Sequence, residues 1–452
     1  MTECSQESFE FTAHFLRRVV AEFEGAWTSS DGGGVLLRQV ERKLRLLPRV
    51  EACFCDQRDP ERIEHGLQEM LGQRIYGLAL GYEDLNDHEQ LRQDPLLALL
   101  AGKRELEVPL AGKSTLNRME LTPASSRGDR YHKITYSGEA LDRLLVDVFL
   151  EAHPQPPAQI VLDLDVTDTP LHGEQEARFF HGYYGHYCYL PLYIFCGEHL
   201  LCARQRASNQ DASAGVLEEV ERMVGQIRQS WPAVQITLRA DSGFCREELM
   251  AWCEAQQVDY VFGLARNERL QAEIAAAMAS AKDEHQRTQR AARVFTEFSY
   301  QTRHSWSQAR RVVAKAEYLE KGENPRFVVT SLPTEAWPAR QLYEQLYCAR
   351  GEMENRIKEQ LGLFADRMSA ESLRANQLRL YLSSFAYVLL CALRRLALAG
   401  TEWARAQVST IRLRLLKIAA EVRLSARRIW IRYPRAYPWK ALFAAACSAL
   451  RC

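Results

Sequence analysis

The chain has 452 residues and no net charge, and 47% of its residues are hydrophobic while 26% are charged. This is the composition of an ordinary globular protein, long enough to bury a large core in two or three domains. The first residues lack the apolar stretch of a signal peptide. The longest apolar run, residues 385–393, is far shorter than the roughly 20 residues of a membrane span. We therefore expect a cytoplasmic protein with no membrane partner.

The twelve cysteines are spread thinly along the chain. They include no C-x-x-C pair, and the histidines near Cys188 lie at spacings that fit no ordinary zinc site. The sequence therefore predicts free, mostly buried thiols in a reducing compartment rather than a disulfide framework.

Charge is distributed unevenly along the chain. Residues 372–452 contain 15 Lys and Arg residues against only Glu402 and Glu421, so the remainder carries a compensating negative charge. A strongly basic segment gains free energy by displacing counterions from phosphates, which favours a nucleic-acid partner. The alternative is a solvated basic surface, or one that docks against the acidic remainder.

The first predicted region comprises residues 1–130. Apolar periodicity predicts helices near residues 35–46, 62–80 and 84–100, with Pro95 and Pro109 as interruptions. We interpret it as a helical N-terminal DNA-binding region.

Between residues 131 and 266 the periodicity changes to that of a sheet. Three strand patterns are followed by a helix, a strand, a helix and a strand, an order typical of ribonuclease-H-like domains. The strands are predicted at residues 160–166, 187–196, 199–205, 235–239 and 259–264, and the helices at residues 209–230 and 247–256. The predicted fold class is therefore α/β, with the first part of a ribonuclease-H-like catalytic core in this region.

The core is predicted to be interrupted by a β-rich insertion, residues 267–340. The insertion has a helix pattern at residues 270–281 and strand patterns at residues 294–300, 310–318 and 326–331. Residues 341–371 then supply the closing helix of the core, through a strong pattern at residues 342–363. Residues 372–452 are predicted as a basic helical C-terminal region, so helical regions flank the core on both sides.

Three carboxylates fall where such a core assembles its active site. Asp163 and Asp165 alternate along the first strand and so point to one face, and Asp241 follows the end of the fourth strand. Those two strands are expected to be neighbours, and a carboxylate from the closing helix would complete a site for two divalent cations. Oxygen ligands favour Mg²⁺, for which Mn²⁺ can substitute. The simpler alternatives are that Asp241 caps the following helix and that Asp165 occupies a turn.

The closing helix carries Tyr347, Arg350, Glu354 and Lys358 at spacings of three, four and four residues, which places them on one face. In the functional interpretation, Glu354 reaches the metal ions, Arg350 and Lys358 contact phosphates, and Tyr347 contacts the DNA end. Glu352 is predicted to point away, because two residues on a helix are separated by roughly 200°. The alternative is a salt-bridge ladder on a solvated helix.

Short motifs along nearly the whole chain form a combination that is specific, although each motif alone is weak. They are Trp27-Thr-Ser-Ser-Asp-Gly-Gly33, Leu80-Gly-Tyr-Glu-Asp-Leu-Asn-Asp87, Leu91-Arg-Gln-Asp-Pro95, Asp163-Leu-Asp-Val-Thr167, His172-Gly-Glu-Gln175, Tyr189-Leu-Pro-Leu192, Arg239-Ala-Asp-Ser-Gly-Phe244 and Tyr347-Cys-Ala-Arg-Gly-Glu-Met-Glu-Asn-Arg-Ile-Lys358. Through them the chain resembles bacterial insertion-sequence transposases of the DDE class, and specifically the insertion-sequence thirteen-eighty family.

The resemblance implies cut-and-paste movement of a mobile element, with Asp165, Asp241 and Glu354 as the metal-binding catalytic carboxylates. In relatives with this Tyr-x-x-Arg-x-x-x-Glu signature, excision can pass through hairpin ends. The wider signature has a lysine seven residues after the glutamate, where this chain has Leu361, and Lys358 is the nearest substitute. The expected partner is double-stranded DNA, both element ends and target, bound by a homodimer associated with a bacterial nucleoid.

Two other interpretations remain open. One is a ribonuclease-H-like nuclease that cuts DNA without joining it, and the other is a non-catalytic DNA-binding protein derived from a transposase. The long basic tail and the insertion argue against the first, and the three carboxylates argue against the second. Within the tail, Arg423, Arg427 and Arg428 are the predicted DNA contacts.

Overall fold

The computed structural model describes residues 8–23, 25–123 and 131–451. The chain forms two compact units. The central unit comprises Pro48–Arg58 and Arg118–Cys391, and the terminal unit comprises Met1–Leu47, Asp59–Asn117 and Ala392–Cys452. The two ends of the chain thus belong to one unit, whereas the sequence pattern treats them as separate regions.

A large mixed sheet forms the framework of the central unit. Its first five strands are β1 Gln159–Val166, β2 Leu192–Cys196, β3 His199–Arg204, β4 Gln235–Ala240 and β5 Asp259–Leu264. Their spatial order is β3-β2-β1-β4-β5. β1, β4 and β5 run parallel, and β2 is antiparallel to both β1 and β3. The prediction that the first and fourth core strands are central neighbours is therefore confirmed.

The strand predicted at residues 187–196 is two strands. The first, His186–Tyr189, belongs to a small separate sheet with Thr169–Pro170 and Phe179–His181, and β2 begins at Leu192. Pro191 lies between them and has no N–H to donate, so it interrupts the ladder. The prediction of one continuous strand is wrong for this reason.

The β-rich insertion continues the central sheet. Its strands, β6 Ala292–Tyr300, β7 Arg310–Leu319 and β8 Arg326–Thr330, extend the sheet beyond β5 in the order β8-β7-β6. All these pairings are antiparallel, and the short strand Gly322–Glu323 also pairs with β7. Periodicity predicts each strand but not its partner, so the extension of the sheet is not predicted. Two helices, Glu268–Glu273 and Ala275–Thr288, replace the single helix expected at residues 270–281.

One face of the sheet carries the main core. The helices α1 Gly138–Glu151, α2 Val216–Ser230 and α3 Glu247–Ala255 pack there, together with the two helices of the insertion. α2 is expected from residue 209 but starts at Val216, because Gly215 adopts a left-handed conformation with φ of 69°. The buried residues of α2 recur at helical spacing and are Val216, Val220, Met223, Val224 and Ile227. Each such side chain contributes about 1.5–3 kcal/mol when it is fully buried.

The segment that follows the insertion covers the opposite face of the sheet. Leu342, Tyr343 and Leu346 pack against valines of three strands, Val261, Val313 and Val328. The sequence predicts a single helix here, residues 342–363, and that prediction is wrong in detail. The structure has a short helix Ala339–Gln341, a π-helical turn Leu342–Tyr347, a 3₁₀ turn Cys348–Arg350 and then the α-helix α4, Gly351–Leu361.

The last long helix of the central unit is α5, Leu373–Leu393, which continues as a π-helical turn to Leu398. The stretch Leu373–Leu398 is long and apolar enough to cross a membrane, but 89% of its most apolar part is buried inside the protein. That is the behaviour of a core helix. The small strands Phe54–Asp56 and Ile134–Tyr136 pair with each other elsewhere in this unit.

The terminal unit combines short helices with two hairpins. Its helices are Val35–Leu44, Leu67–Leu80, His88–Leu91, Pro95–Leu100, Val408–Ile411 and Lys440–Arg451, while Leu46–Glu51 and Lys113–Glu120 span the boundaries of the two units. The helix expected at residues 84–100 is divided, because the Asp94 side chain caps a new helix that begins at Pro95.

The prediction of helical flanks is wrong near both ends of the chain. Ser8–His14 pairs with Arg17–Glu22, and Ala420–Ser425 pairs with both Arg428–Arg432 and Thr28–Ser29. In the second hairpin, apolar residues alternate with polar ones along Ala420–Ser425, which is a strand pattern, and Arg428–Arg432 has three consecutive apolar residues between two arginines. The pattern escapes prediction because it occupies few residues in a segment that otherwise has helical periodicity.

The Asp-Gly-Gly part of the first motif holds the C-terminal segment of the same unit. Asp31 is almost fully buried, accepts a 2.7 Å hydrogen bond from the Tyr82 hydroxyl and pairs with Lys417 Nζ at 2.8 Å. A Cβ atom on Gly33 would lie 1.9 Å from the Leu415 carbonyl oxygen. The structure therefore assigns a packing role to this part of the motif.

Substitution Gly33→Ala should destabilise the protein, because its methyl group would overlap the backbone at Leu415. We expect the free energy of unfolding to fall by about 1–3 kcal/mol, as is usual for overpacking. Calorimetric unfolding measures the change. The matched control is Gly66→Ala in the same unit, where a Cβ has nothing within 4 Å and should change the stability little. Equal melting temperatures for the two variants would contradict the packing role.

Candidate active site

The ends of β1 and β4 meet at one edge of the central sheet. The parallel register places Asp163 opposite Arg239 and Leu164 opposite Ala240. Asp165 and Asp241 follow these pairs and therefore continue the two strands side by side. The sequence predicts that these two carboxylates come together, and the register brings them to adjacent strand ends.

Asp163 forms a buried ion pair with Arg239. Arg239 Nε donates to its Oδ1 at 2.5 Å, and Arg239 Nη2 donates to its Oδ2 at 2.8 Å. Arg239 Nη1 donates to the Leu346 carbonyl oxygen at 2.6 Å. Because both Asp163 oxygens accept from Arg239, this carboxylate holds the strand ends together, and Asp165 is the one left available.

The same guanidinium accounts for the irregular closing helix. In a regular α-helix the Leu346 carbonyl would accept from the N–H of Arg350, but here Arg239 donates to it. A side chain inserted into the helical ladder breaks its regularity, and π-helical turns of this kind are frequent at functional sites. Sequence reasoning missed Arg239, although a charged residue within an apolar strand was a signal for it.

Asp165 lies in a largely buried position, with 13% of its side chain exposed. Its Oδ2 accepts from Arg350 Nη1 at 3.2 Å, and its Oδ1 accepts from the Val166 N–H at 2.9 Å. Burial raises the pKa of Asp165 to about 6. The Arg350 charge opposes this rise, whereas the negative charges of Asp241 and Glu354 add to it. The three predicted carboxylates are therefore close enough to act on one another.

Asp241 caps a short turn and keeps one oxygen free. Its Oδ1 accepts from the Gly243 N–H at 2.8 Å and so begins the 3₁₀ turn Ser242–Phe244. The capping role weighed as an alternative is thus present. Its Oδ2 accepts no hydrogen bond from any residue that the structure describes, so capping leaves it available for another ligand.

Gly263 allows a close approach beside Asp241. The register of β4 and β5 brings it to the position next to Asp241, and an added Cβ would lie 2.7 Å from the Tyr347 hydroxyl and 2.9 Å from the Ser242 nitrogen. Burial raises the pKa of Tyr347, and the Asp241 charge adds to the rise, so the hydroxyl stays protonated. This glycine was also missed, although a glycine inside an aromatic and β-branched strand often marks close backbone contact.

The remaining residues of the helical stripe lie further out. Glu354 is 56% exposed and lies 4.0 Å from Arg350. Lys358 is exposed and forms no ion pair within the described ranges. Glu352, predicted to point away, is exposed as well, yet its charge adds to the rise in the pKa of Asp163 that burial causes. The site thus brings together Asp165, Asp241 and Arg350 and leaves Lys358 apart from them.

The predicted tail contacts lie in the terminal unit. Arg423 lies on the strand Ala420–Ser425 opposite Trp430, and Arg428 opposite Ser425. Arg427 lies in the turn between the two strands. All three arginines are exposed. They are therefore on a β-hairpin, which corrects the expectation that they lie on a helix.

The cysteines of the described part of the chain all carry free thiols. Cys4 and Cys452 lie outside the described residues. Burial raises the pKa of the Cys196 and Cys245 thiols to about 12, which keeps them protonated. For the cysteines that the structure describes, these observations agree with the prediction of free, mostly buried thiols.

Residues 11–452 match the family model described as transposase DDE domain group 1. The chain belongs to this family. No similar protein is found among curated sequences. Among solved structures, this transposase is similar to the cryo-EM structure of the piggyBac transposase synaptic complex with hairpin DNA, with 9% identity and a TM-score of 0.42. The match covers 92% of this chain and 81% of that one. A likeness this remote carries no argument about the site.

Transposases of the DDE class use divalent metal ions, and the donors of this site fit such an ion in part. Asp165 and Asp241 offer carboxylate oxygens at adjacent strand ends, which suits a hard cation. Within residues 8–23, 25–123 and 131–451, however, no group of three or more His, Cys, Asp or Glu residues is close enough to hold a metal. Asp165 and Asp241 thus supply two carboxylates at one sheet edge, and Glu354 does not complete a group of three with them.

Metal-free protein should lose stability as the pH rises through about 6. The pKa of Asp165 is raised to about 6 in the folded protein, above its unfolded value of about 3.9, so its contribution is complete below pH 4 and declines towards neutral pH. In EDTA at pH 7.5, Asp165→Asn should therefore be more stable than the wild type by at most about 3 kcal/mol. Thermal unfolding at pH 4 and pH 7.5 measures this difference.

The exposed Asp283→Asn is the matched control and should show no such pH-dependent gain. Adding Mg²⁺ at pH 7.5 should stabilise the wild type more than Asp165→Asn. A stability difference between wild type and Asp165→Asn that is the same at both pH values would contradict the raised pKa.

Proposed function

We propose that this transposase cleaves DNA at the ends of an insertion sequence and joins the ends to a target, in cut-and-paste fashion. Asp165, Asp241 and Glu354 are the proposed catalytic and metal-binding residues. The observation that carries the proposal is the juxtaposition of Asp165 and Asp241 at neighbouring parallel strand ends, with Glu354 near enough to influence the Asp165 charge. The strand order β3-β2-β1-β4-β5 supports a ribonuclease-H-like core.

Bound Mg²⁺ or Mn²⁺ would supply the charge that stabilises the attacking and leaving oxygens of an in-line phosphoryl transfer. The protein residues hold and orient the groups around that reaction. Arg350 partly neutralises Asp165 in the metal-free state, through the 3.2 Å contact. The Tyr347 hydroxyl, fixed beside Gly263, is a hydrogen-bond donor next to Asp241.

DNA contacts are proposed on both units. Near the carboxylates they are Tyr347, Arg350 and Lys358, and Lys358 is free to bind a phosphate because no carboxylate in the described ranges pairs with it. On the hairpin of the terminal unit they are Arg423, Arg427 and Arg428. These three arginines are exposed, and the Arg428 guanidinium lies over the Trp430 ring. Both features suit contact with a phosphate backbone.

We further propose that the protein acts as a homodimer, because two element ends must be held together during transposition. The motifs favour the insertion-sequence thirteen-eighty family and thus a bacterial protein that acts on DNA in the cytoplasm, at the nucleoid. Sedimentation of the protein with and without end DNA tests the dimer.

Strand cleavage should require all three carboxylates. With Mg²⁺, Asp165→Asn, Asp241→Asn and Glu354→Gln should each lower the cleavage rate by on the order of 10³-fold while end binding changes only a few-fold, because binding relies on other surfaces. The matched control is Glu352→Gln, an exposed carboxylate on the same helix, which should keep most of its activity. An assay with labelled end DNA and a target duplex measures cleavage and joining in the same reaction.

The outcome of this assay also separates the alternatives. Joined product supports a transposase, cut product without joining supports a nuclease, and specific binding without either supports a non-catalytic DNA-binding protein. Near-normal cleavage by Asp165→Asn or Asp241→Asn would overturn the proposed site.

Neutralising the hairpin arginines should reduce the salt dependence of DNA binding. For each arginine that no longer neutralises a phosphate, the slope of log affinity against log salt should fall by about 0.9 on duplex DNA. Fluorescence anisotropy at several salt concentrations measures the slope for Arg423→Gln, Arg427→Gln and Arg428→Gln. The control is Arg62→Gln, an exposed arginine of the same unit, 85% of whose side chain is accessible. If the hairpin variants keep the wild-type slope, this surface does not contact DNA.

A further inference from the structure

A cavity of about 530 Å³ opens beside Asp241 in the central unit. Its walls come from the end of β5, the start of β8 and the irregular closing segment, and they include Asp241, Gly263, Arg266, Arg326, Tyr347 and Arg350. We call this cavity the arginine chamber. It is formed jointly by the core and the insertion, because β8 belongs to the insertion and pairs with β5.

The charge along this edge of the sheet changes sign between neighbouring strands. The carboxylates Asp165 and Asp241 follow β1 and β4. Arg266 follows β5, and Arg326 begins β8. Leu264 lies opposite Phe327 in the β5–β8 pair, so the two arginines lie at adjacent strand ends. A chain of phosphates that crosses this edge would meet the arginines next to the proposed catalytic carboxylates.

Arg266, just after the end of β5, and Arg326 differ from several arginines of the insertion that form ion pairs. Arg310 pairs with Glu247 and Glu254, Arg311 pairs with Glu297, and Arg293 pairs with Glu317. By contrast, neither Arg266 nor Arg326 forms an ion pair or a side-chain hydrogen bond with any residue that the structure describes. Two exposed guanidinium groups without a carboxylate partner, in the wall of a cavity, are suited to bind an anion from outside the protein.

The walls of the chamber also fit something larger than a free phosphate. The rings of Tyr343 and Tyr347 lie 5.5 Å apart, and both line the cavity. The positive charge of Arg326 acts on both hydroxyls, opposing the rise in their pKa that burial causes. A volume of about 530 Å³ is in the range of sites that hold an organic ligand. Aromatic walls with guanidinium groups suit a sugar–phosphate segment.

We propose that the arginine chamber binds the sugar–phosphate backbone of the DNA strand next to the phosphodiester that is cut, with Arg266 and Arg326 contacting its phosphate oxygens. This proposal rests on the proposed function. It gives the insertion a direct part in substrate positioning, because β8 supplies Arg326. The reacting bond itself would remain at the carboxylates, so Arg266 and Arg326 are positioning residues.

The first test is equilibrium binding, which does not require catalysis. Arg266→Gln and Arg326→Gln should each lower the salt slope of end-DNA binding by about 0.9, and the double variant by about twice that. Arg303→Gln is the matched control, an exposed arginine of the insertion outside the chamber. It should keep the wild-type slope. An unchanged slope in the double variant would overturn the proposal, even if the wild type cleaves DNA normally.

The second test locates the contacted phosphates. End duplexes carry a single neutral methylphosphonate linkage at successive positions on both sides of the cleavage site. In the wild type, one or two linkages adjoining that site should lower the rate at saturating DNA by about 10- to 100-fold, since misplaced substrate reacts slowly. In the double variant the same linkages should have no additional effect, because the guanidinium groups that sense the phosphate charge are absent. If every methylphosphonate linkage lowered the rate by the same factor in the double variant as in the wild type, the proposal would be overturned.

Two further outcomes distinguish failure of the proposed function from failure of the chamber proposal. If the wild type binds ends with the expected slope difference but neither cuts nor joins DNA, the proposed function fails while the DNA contact at the chamber stands. Inorganic phosphate alone should not stabilise the wild type against unfolding more than it stabilises the double variant. If it does, and DNA binding is identical in both, the chamber is a site for a small free anion and the assignment to DNA is wrong.

Discussion

The guanidinium of Arg239 is the interaction on which the geometry of the site depends. It binds both oxygens of Asp163 on the neighbouring strand and the Leu346 carbonyl of the closing segment. Three parts of the chain that are distant in sequence are thereby joined in a buried position. Removing one partner of such a pair costs about 3–5 kcal/mol, because the other charge stays buried. Asp165, Asp241 and Arg350 all lie within four residues of these anchoring groups, so their relative positions follow from this contact.

This anchoring brings together charges that repel one another. The pKa of Asp165 rises to about 6 because the carboxyl is buried, and because the charges of Asp241 and Glu354 act on it while Arg350 compensates only in part. Such clustering of like charges lowers the stability of the fold. Carboxylates with perturbed pKa values concentrate at functional sites. Arg266 and Arg326 of the chamber are similarly left without carboxylate partners among the described residues. The same sheet edge thus holds unbalanced negative and positive charge side by side, which suits a phosphodiester and the cations that accompany it.

Much of the core was predictable from residues alone, and the failures have physical causes. β1, β3, β4 and β5 have apolar runs with clear ends, so their bounds were predicted to within a residue or so. Three other features depend on partners distant in sequence, which periodicity does not encode. They are the pairing of the insertion with β5, the break in the closing helix and the Arg239 contacts. The positions of Asp165 and Asp241 could be predicted because they follow strand ends. The position of Glu354 relative to these two aspartates could not be predicted. It depends on the direction that the irregular turn Cys348–Arg350 gives to α4.

The pair Asp163 and Asp165 shows how the fold separates a structural role from a chemical one. Both residues lie on one face of β1, so pattern alone treats them as equivalent. Asp163 lies opposite Arg239 within the paired part of β1 and β4, where a charge without a partner would be costly, and its oxygens are satisfied there. Asp165 lies two residues on, past the last pair between β1 and β4, and its carboxylate accepts from Arg350 and from the Val166 N–H. At this position β4 no longer supplies a guanidinium partner, so the carboxylate can remain available to an external ligand. This favours Asp165 over Asp163 as the first carboxylate of the site.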